Sequence, residues 1–231
     1  MRYDAVIFDM DGTVLDTTED LRAALCHAFG QAGYAALTDI TAEETKGFFG
    51  SGVRTAISRA FLRRGFTPDE AEISRVERIY RPYYDAHCAD ATDAYPGIRA
   101  LLARLRSRAI PAAVVSNKPD GAVKELAARC FPGLFAVAVG EDERAGLRRK
   151  PAPDTTLYAL REMGVPRERA VYVGDTEIDL ATAEAAGTDC IAVGWGFRTR
   201  EFLLGLGVRA FAADVGELER LLLGEPSEIL R

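Results

Sequence analysis

The stretch Ala5-Val6-Ile7-Phe8-Asp9-Met10-Asp11-Gly12-Thr13 runs four apolar residues straight into two aspartates, a glycine and a threonine. An unbroken apolar run bounded this way reads as a buried parallel strand, with the polar residues at its exit. Three further segments share the pattern, Pro111 to Val115, Ala170 to Val173 and Cys190 to Val193, and Leu134 to Val139 is expected as another strand. Amphipathic stretches at Ile98 to Arg108, Gly121 to Arg129 and Thr155 to Met163 alternate with them. Strand and helix in alternation predict an α/β fold with a doubly wound parallel sheet. The interval between the first two strands is about a hundred residues, far longer than a crossover helix requires. Helical patterns at Glu19 to Ala32, Gly52 to Arg64 and Asp69 to Ala86 fill it, with polar breaks at Thr38-Asp39 and Thr67-Pro68. The expectation is a core made of 1–15 and 95–231 carrying an inserted helical cap domain, 16–94, hinged near Asp16 and Tyr95-Pro96-Gly97.

Composition narrows the ligand. In 231 residues, 48% hydrophobic, there is enough apolar side chain for a sizeable core. With 35 acidic against 29 basic residues the chain carries −6, which lacks the basic footprint of a nucleic-acid binder and points to a small molecule. The start, Met1-Arg2-Tyr3-Asp4, has no long apolar region after it, and no stretch approaches the roughly 20 apolar residues of a membrane span. A cytoplasmic protein, monomer or homodimer, is expected. Cys26, Cys88, Cys130 and Cys190 are scattered and read as reduced, and His27 and His87 as structural or surface groups. Glu225 to Arg231 reads as a fraying end.

Reactive residues follow four strands: Asp9 and Asp11, then Ser116-Asn117-Lys118, then Lys150 after a longer loop, then Asp175 with Asp179. Strand ends of an open α/β sheet form the crevice where ligands bind, so these groups are expected to converge. Asp9 and Asp11 lie two apart and leave toward one side, Met10 toward the other. Two close carboxylates raise each other's proton affinity, and a bound Mg²⁺ resolves the conflict by holding one as an anion. Asp9 is then the metal ligand and nucleophile, and Asp11 a proton carrier for a leaving oxygen. Gly12 permits the sharp turn, and Thr13 offers a hydroxyl and an amide to phosphoryl oxygens. Ser116 and Lys150 are donors of the kind a transferring phosphoryl group needs. Taken singly, Ser-Asn-Lys is also a common helix cap, Lys150-Pro151 a common solvated loop, and Asp175-Thr176 a cap for the helix Ile178 to Ala186. Asp175 suits Mg²⁺, while Asp179 suits the part of a second carboxylate that ligates directly or through water, or of a hydrogen-bonding partner for Lys150.

In this order the four groups resemble the four motifs of the haloacid dehalogenase superfamily: Asp9-Met10-Asp11-Gly12-Thr13-Val14-Leu15-Asp16-Thr17, Ser116-Asn117-Lys118, Lys150-Pro151-Ala152-Pro153 and Gly174-Asp175-Thr176-Glu177-Ile178-Asp179. The resemblance spans the chain, and the insert resembles that superfamily's helical type 1 cap on a Rossmann-like core. It implies an aspartyl-phosphate on Asp9, Asp11 as general acid and then base, and Mg²⁺ held by Asp9, the backbone carbonyl of Asp11, and Asp175. By the same resemblance Ser116 and Lys150 would hold the phosphate; Thr13 and Asn117 are further candidate substrate-binding residues, with Asp179 behind them. The dehalogenases lack the second aspartate, so Asp11 favours phosphoryl transfer.

Substrate choice falls to the insert. Lys46-Gly47-Phe48-Phe49-Gly50-Ser51-Gly52-Val53-Arg54 opens a helix whose amides could receive an anion, or is a plain loop before it. Its Gly50-x-Gly52 segment resembles that of phosphoglycolate phosphatase caps, as do Arg149 to Pro153 and Gly194 to Arg198, which implies 2-phosphoglycolate ahead of pyrophosphate and small sugar phosphates. Arg54 is the candidate fork for a substrate carboxylate, its alternative being a solvated helix arginine. Lys118 reaches the site mouth or lies on a helix face. Rival readings are a β-phosphoglucomutase-like mutase, which shares the catalytic set, and a non-catalytic phosphate-ligand-binding protein, which would have lost one of Asp9, Asp11, Lys150 and Asp175.

Overall fold

Residues 3–224 are described by a computed structural model of the chain, so the stretch expected to fray, Glu225 to Arg231, lies outside the described residues. The elements run β1 (Ala5–Asp9), β2 (Leu15–Asp16), α1 (Thr18–Gln31), α2 (Ala42–Phe48), α3 (Val53–Arg63), α4 (Glu70–His87), β3 (Asp93–Ala94), α5 (Ile98–Ser107), β4 (Ala112–Pro119), α6 (Asp120–Cys130), β5 (Val137–Glu141), α7 (Asp154–Met163), β6 (Ala170–Gly174), α8 (Glu177–Ala186), β7 (Asp189–Val193), α9 (Arg200–Gly205), β8 (Phe211–Ala212) and α10 (Val215–Leu223). The chain divides into two compact units, one holding the sequence to Leu15 and from Ala94 onward, the other Asp16–Asp93.

The first unit is built on a six-stranded sheet in the order β5-β4-β1-β6-β7-β8, and every pairing is parallel. Counted within this sheet the order is 3-2-1-4-5-6, the Rossmann-like arrangement in which the chain reverses direction across the sheet beside its first strand. β1 and β6 are buried along their whole length, as continuous Val, Ile, Phe and Ala runs require. Alternate residues feed opposite faces: Ala5, Ile7, Val115 and Tyr172 pack with Ala159 and Leu160 of α7 and Ala183 of α8, whereas Phe8 meets Phe135 on the other face at 6.2 Å. That contact explains why β5 begins at Val137 and not at Leu134. Leu134 closes a turn onto Phe131, and Phe135 packs its ring on Phe131 at 5.2 Å.

The second unit is helical. Phe29, Tyr34 and Phe61 meet edge to face at 4.8 to 6.3 Å, a packing that suits ring quadrupoles. α2 was not anticipated from the sequence, although Thr41 and Glu44 form the capping box that starts it. Asp20, buried on α1, accepts hydrogen bonds from the Ala91 and Thr92 amides and the Thr92 hydroxyl at 2.7 to 2.9 Å. One carboxylate thereby brings the end of the insert back beside its beginning. No helix among the described residues is long and apolar enough to cross a membrane.

Candidate active site

Register alone brings the first, second and fourth of these groups together. Asp9, the last residue of β1, pairs with Val115 of β4, so Ser116 is the next residue out on that side. Phe8 pairs with Val173 of β6, so Gly174 flanks Asp9 on the other side and Asp175 follows it. Asp9, Ser116 and Asp175 are all buried.

Lys150 is the hub. Its ammonium donates to Asp9 Oδ1 at 2.6 Å, to Asp179 Oδ1 at 2.7 Å and to the Tyr172 hydroxyl at 3.1 Å. Burial opposes its charge, but Asp179 and Asp9 outweigh that and hold its pKa well above the usual lysine value. Asp179 is saturated. Its Oδ1 also accepts from Tyr172 at 3.1 Å, and its Oδ2 takes the Asp175 amide at 3.2 Å and the Thr176 amide and hydroxyl at 3.1 and 2.8 Å. A buried ion pair is stable only when its remaining lone pairs are met in this way. Tyr172 had no place in the sequence reading. The only signal was a phenol inside a Val-rich strand, on the face shared with Ile7.

Asp175 accepts from the Thr13 hydroxyl at 2.9 Å and from the Phe197 amide at 2.6 Å, one on each oxygen. Gly12 sits against it with φ +83, and a Cβ there would lie 2.4 Å from Asp175 Oδ2. The close approach therefore demands glycine. Asp11, more exposed than Asp9, forms an ion pair with Lys118, and Ser116 Oγ lies 3.4 Å from its other oxygen. Lys118 therefore stands at the site and not on a helix face. Asn117 faces elsewhere: its Oδ1 accepts from the Lys150 amide at 2.6 Å and its Nδ2 donates to the Lys150 carbonyl at 3.2 Å. The pairing of β4 with β5 is irregular between Val115 and Pro119, which is how three successive residues come to serve three different partners.

The donor set suits a hard divalent cation. Asp9, Asp175 and Asp179 each offer a carboxylate oxygen, all within 4.8 Å of one another and all buried. Three carboxylates face one ammonium, so the site carries buried excess negative charge. Burial first, then Asp179, push Asp175 up to about 7 despite the Phe197 and Thr13 hydrogen bonds. Burial and Asp179 likewise raise Asp9 well above the carboxylate range, against the pull of Lys150. An oxygen-rich, electron-rich pocket of this kind fits Mg²⁺. Because Asp179 is already saturated, Asp9 and Asp175 are the carboxylates left to hold it.

The insert residues singled out from sequence lie in the second unit. Gly52 caps α3 with φ +89 and Gly50 has φ +105, so the turn between them needs glycine for its backbone and not for lack of space at Gly52. Arg54 is engaged already: its guanidinium reaches Glu70 and Glu77, both at 2.5 Å. The fork expected for a substrate carboxylate is filled by two carboxylates of α4.

A Rossmann-like sheet with a lysine-bridged carboxylate set at its strand exits, and a helical insert after the first strand, defines a hydrolase of the phosphatase class. The chain belongs to the haloacid dehalogenase-like hydrolase family, whose sequence profile matches residues 6–193. It is 35% identical over 184 residues to a phosphoglycolate phosphatase of Cereibacter sphaeroides (79% of this chain, 81% of that one). It is 32% identical over 225 residues to that of Mesorhizobium japonicum (94% and 96%). Among solved structures, a protein from Lactobacillus delbrueckii subsp. bulgaricus, proposed to be a phosphoglycolate phosphatase, superposes with a TM-score of 0.90 at 44% identity, covering 97% of this chain and all of that one.

Proposed function

We propose that the protein is a Mg²⁺-dependent hydrolase of small phosphate monoesters, with 2-phosphoglycolate as its substrate. The observation that carries this reading is the separate pairing of the two aspartates at the exit of β1: Asp9 with buried Lys150, Asp11 with Lys118 nearer the solvent. Asp9 lies inside the site, where Lys150 and a bound cation together would hold it as an anion against the burial that raises its pKa. Asp11 stands where a leaving group and water arrive.

In the proposed reaction an Asp9 carboxylate oxygen attacks phosphorus, forming the aspartyl-phosphate, while the ester P–O bond breaks and the departing oxygen takes a proton from Asp11. Asp11, now a carboxylate, draws a proton from water whose oxygen attacks phosphorus. The bond to Asp9 breaks, and inorganic phosphate leaves with Asp9 restored. Asp9 and Asp175, with the Asp11 carbonyl, would hold Mg²⁺, which would supply positive charge to the phosphoryl oxygens. Lys150, Ser116 and Thr13 hold and orient the phosphate, Asp179 keeps Lys150 charged, and Asn117 serves through the Lys150 backbone.

Selection of the substrate is assigned to residues 16–94 as a cap domain, with the Gly50-Ser51-Gly52 turn at the start of α3 as anion receptor. Arg54 is left out of that role because Glu70 and Glu77 occupy it. Support for 2-phosphoglycolate comes from the relatives in Cereibacter and Mesorhizobium. A cytoplasmic setting accords with four free thiols. The test is a panel of phosphate esters with Mg²⁺, in which kcat/KM for 2-phosphoglycolate is compared with those for pyrophosphate and hexose phosphates. A higher value for another ester overturns the substrate, and isomerisation of a glucose phosphate without phosphate release overturns hydrolysis.

A further inference from the structure

The loop after β7, Gly194-Trp195-Gly196-Phe197-Arg198, has no part in the four sequence motifs, yet it touches the site at four points. Trp195 Nε1 donates to the Thr13 carbonyl at 3.0 Å. A Cβ on Gly196 would lie 2.2 Å from Asp175 Oδ2, so this backbone is laid directly against the carboxylate. The Phe197 amide donates to that same oxygen at 2.6 Å. Arg198 forks onto Glu177, the first residue of α8, at 2.7 and 2.9 Å, which fixes the far end of the loop two residues beyond Asp175.

These contacts close a ring. Trp195 holds the Thr13 carbonyl, the Thr13 hydroxyl holds Asp175 Oδ1, and Asp175 Oδ2 is held by Phe197, two residues from Trp195. Thr13 belongs to the turn that follows the nucleophile, and Asp175 is on the opposite flank of β1. Without the indole hydrogen bond, Thr13 would be tied to Asp175 by its side chain alone, and its carbonyl would be held only within its own turn, where the Val14 amide of the same peptide plane donates to the Met10 carbonyl at 3.1 Å. A hydrogen bond that fixes the backbone of a site residue sharpens the geometry of the groups it carries, and misplacement by even an ångström reduces rate substantially.

We propose that Trp195 is a positioning residue: through the Thr13 carbonyl it locks the turn after Asp9 to Asp175, so that occupation of the site by cation or phosphate is transmitted to its indole. The inference rests on the proposed metal-dependent phosphatase reading. Its signature is spectroscopic, because the chain contains one tryptophan.

The experiment titrates Mg²⁺ into the purified full chain, following tryptophan emission and, in parallel, binding heat by calorimetry. Initial rates with p-nitrophenyl phosphate are measured across the same Mg²⁺ range. In the wild type, emission shifts and saturates at the concentration where the heat saturates, and Asp175→Asn abolishes both. Trp195→Phe, which keeps the ring and removes the N–H, raises the Mg²⁺ half-saturation and lowers kcat, together by about 3- to 10-fold, the effect of one hydrogen bond. Its thermal midpoint stays close to the wild type. Heat of Mg²⁺ binding without a change in emission overturns the inference, as does a Trp195→Phe enzyme with wild-type kcat and half-saturation. Should Trp195→Phe not fold, the wild-type emission titration decides alone. An emission response that tracks the heat, in a protein inactive on every ester, overturns the enzymatic reading and leaves the Trp195 tie standing.

Discussion

At Lys150 a single ammonium is shared by Asp9 and Asp179, and Asp179 has no lone pair to spare. In the proposed reaction Asp9 is thus the carboxylate left to attack phosphorus. Asp9→Asn keeps the volume and removes the nucleophile. Phosphate release is expected to fall by roughly a thousandfold or more, while thermal unfolding in EDTA is unchanged or improved, since burial already opposes that charge. Retention of activity in steady-state assays would refute the assignment. Asn117 makes a different kind of claim. If its amide acts by holding both backbone groups of Lys150, Asn117→Ala should lower kcat by about 10- to 100-fold, and should cost little more once Lys150 is Ala. Orthophosphate affinity by calorimetry reads the double-mutant cycle even where turnover is too slow. Full additivity would mean that Asn117 touches the phosphate independently, as its place in the sequence suggested. Asp9, Asp11, Ser116 and Asp175 could be placed at strand exits from sequence because each lies within three residues of an apolar run whose end is visible. The partners of Asn117 and Lys118 could not, because they depend on the irregular pairing past Val115, which no local pattern encodes.

At the β6–α8 turn the strand delivers Asp175 and the first turn of the helix delivers Asp179. A Cβ on Gly174 would fall 2.3 Å from Asp179 Cβ and 2.4 Å from its carboxyl carbon. Gly174→Ala must therefore push α8 away or turn Asp179 off Lys150. A loss of about 1 to 3 kcal/mol is expected from the overpacking, with activity falling further than stability because the Lys150 ammonium shifts with its partner. Urea denaturation and kcat measured on the same preparation check this; a stable variant with normal kcat would show that the turn tolerates the side chain. Long elements with clear periodicity were legible, α1, α3 and α4 to within a residue or two of their ends. The two-residue strands β2, β3 and β8 were not, since a pair of residues carries no period and is defined only by its neighbour. β5 was displaced because Phe135 is apolar for the sake of a ring contact and not a strand.

The protein as a whole pays for assembling three buried carboxylates around one lysine, and the debt has a pH dependence. Asp175 is raised to about 7 in the folded chain from an ordinary value of 3.8. The folded state therefore binds the proton more tightly than the unfolded one, so the favourable contribution is complete below the ordinary value and is lost as pH rises through the folded one. Lys150, raised well above the usual lysine value, stays charged across this window and contributes no slope there. In EDTA the unfolding midpoint should fall between about pH 5.5 and about pH 8, a loss on the order of a few kcal/mol. Mg²⁺ binds the ionised site and stabilises only the folded state, so its benefit should grow with pH as it displaces the proton. Asp9, raised as well, adds to the same slope, so Asp175→Asn should reduce the slope in EDTA and abolish the response to Mg²⁺. Scanning calorimetry of both proteins at matched ionic strength, with and without the cation, separates the cases. A wild type equally stable at both pH values in EDTA, or a Mg²⁺ benefit that shrinks as pH rises, would mean that the buried charge is compensated by something other than a proton or a cation on Asp9 and Asp175.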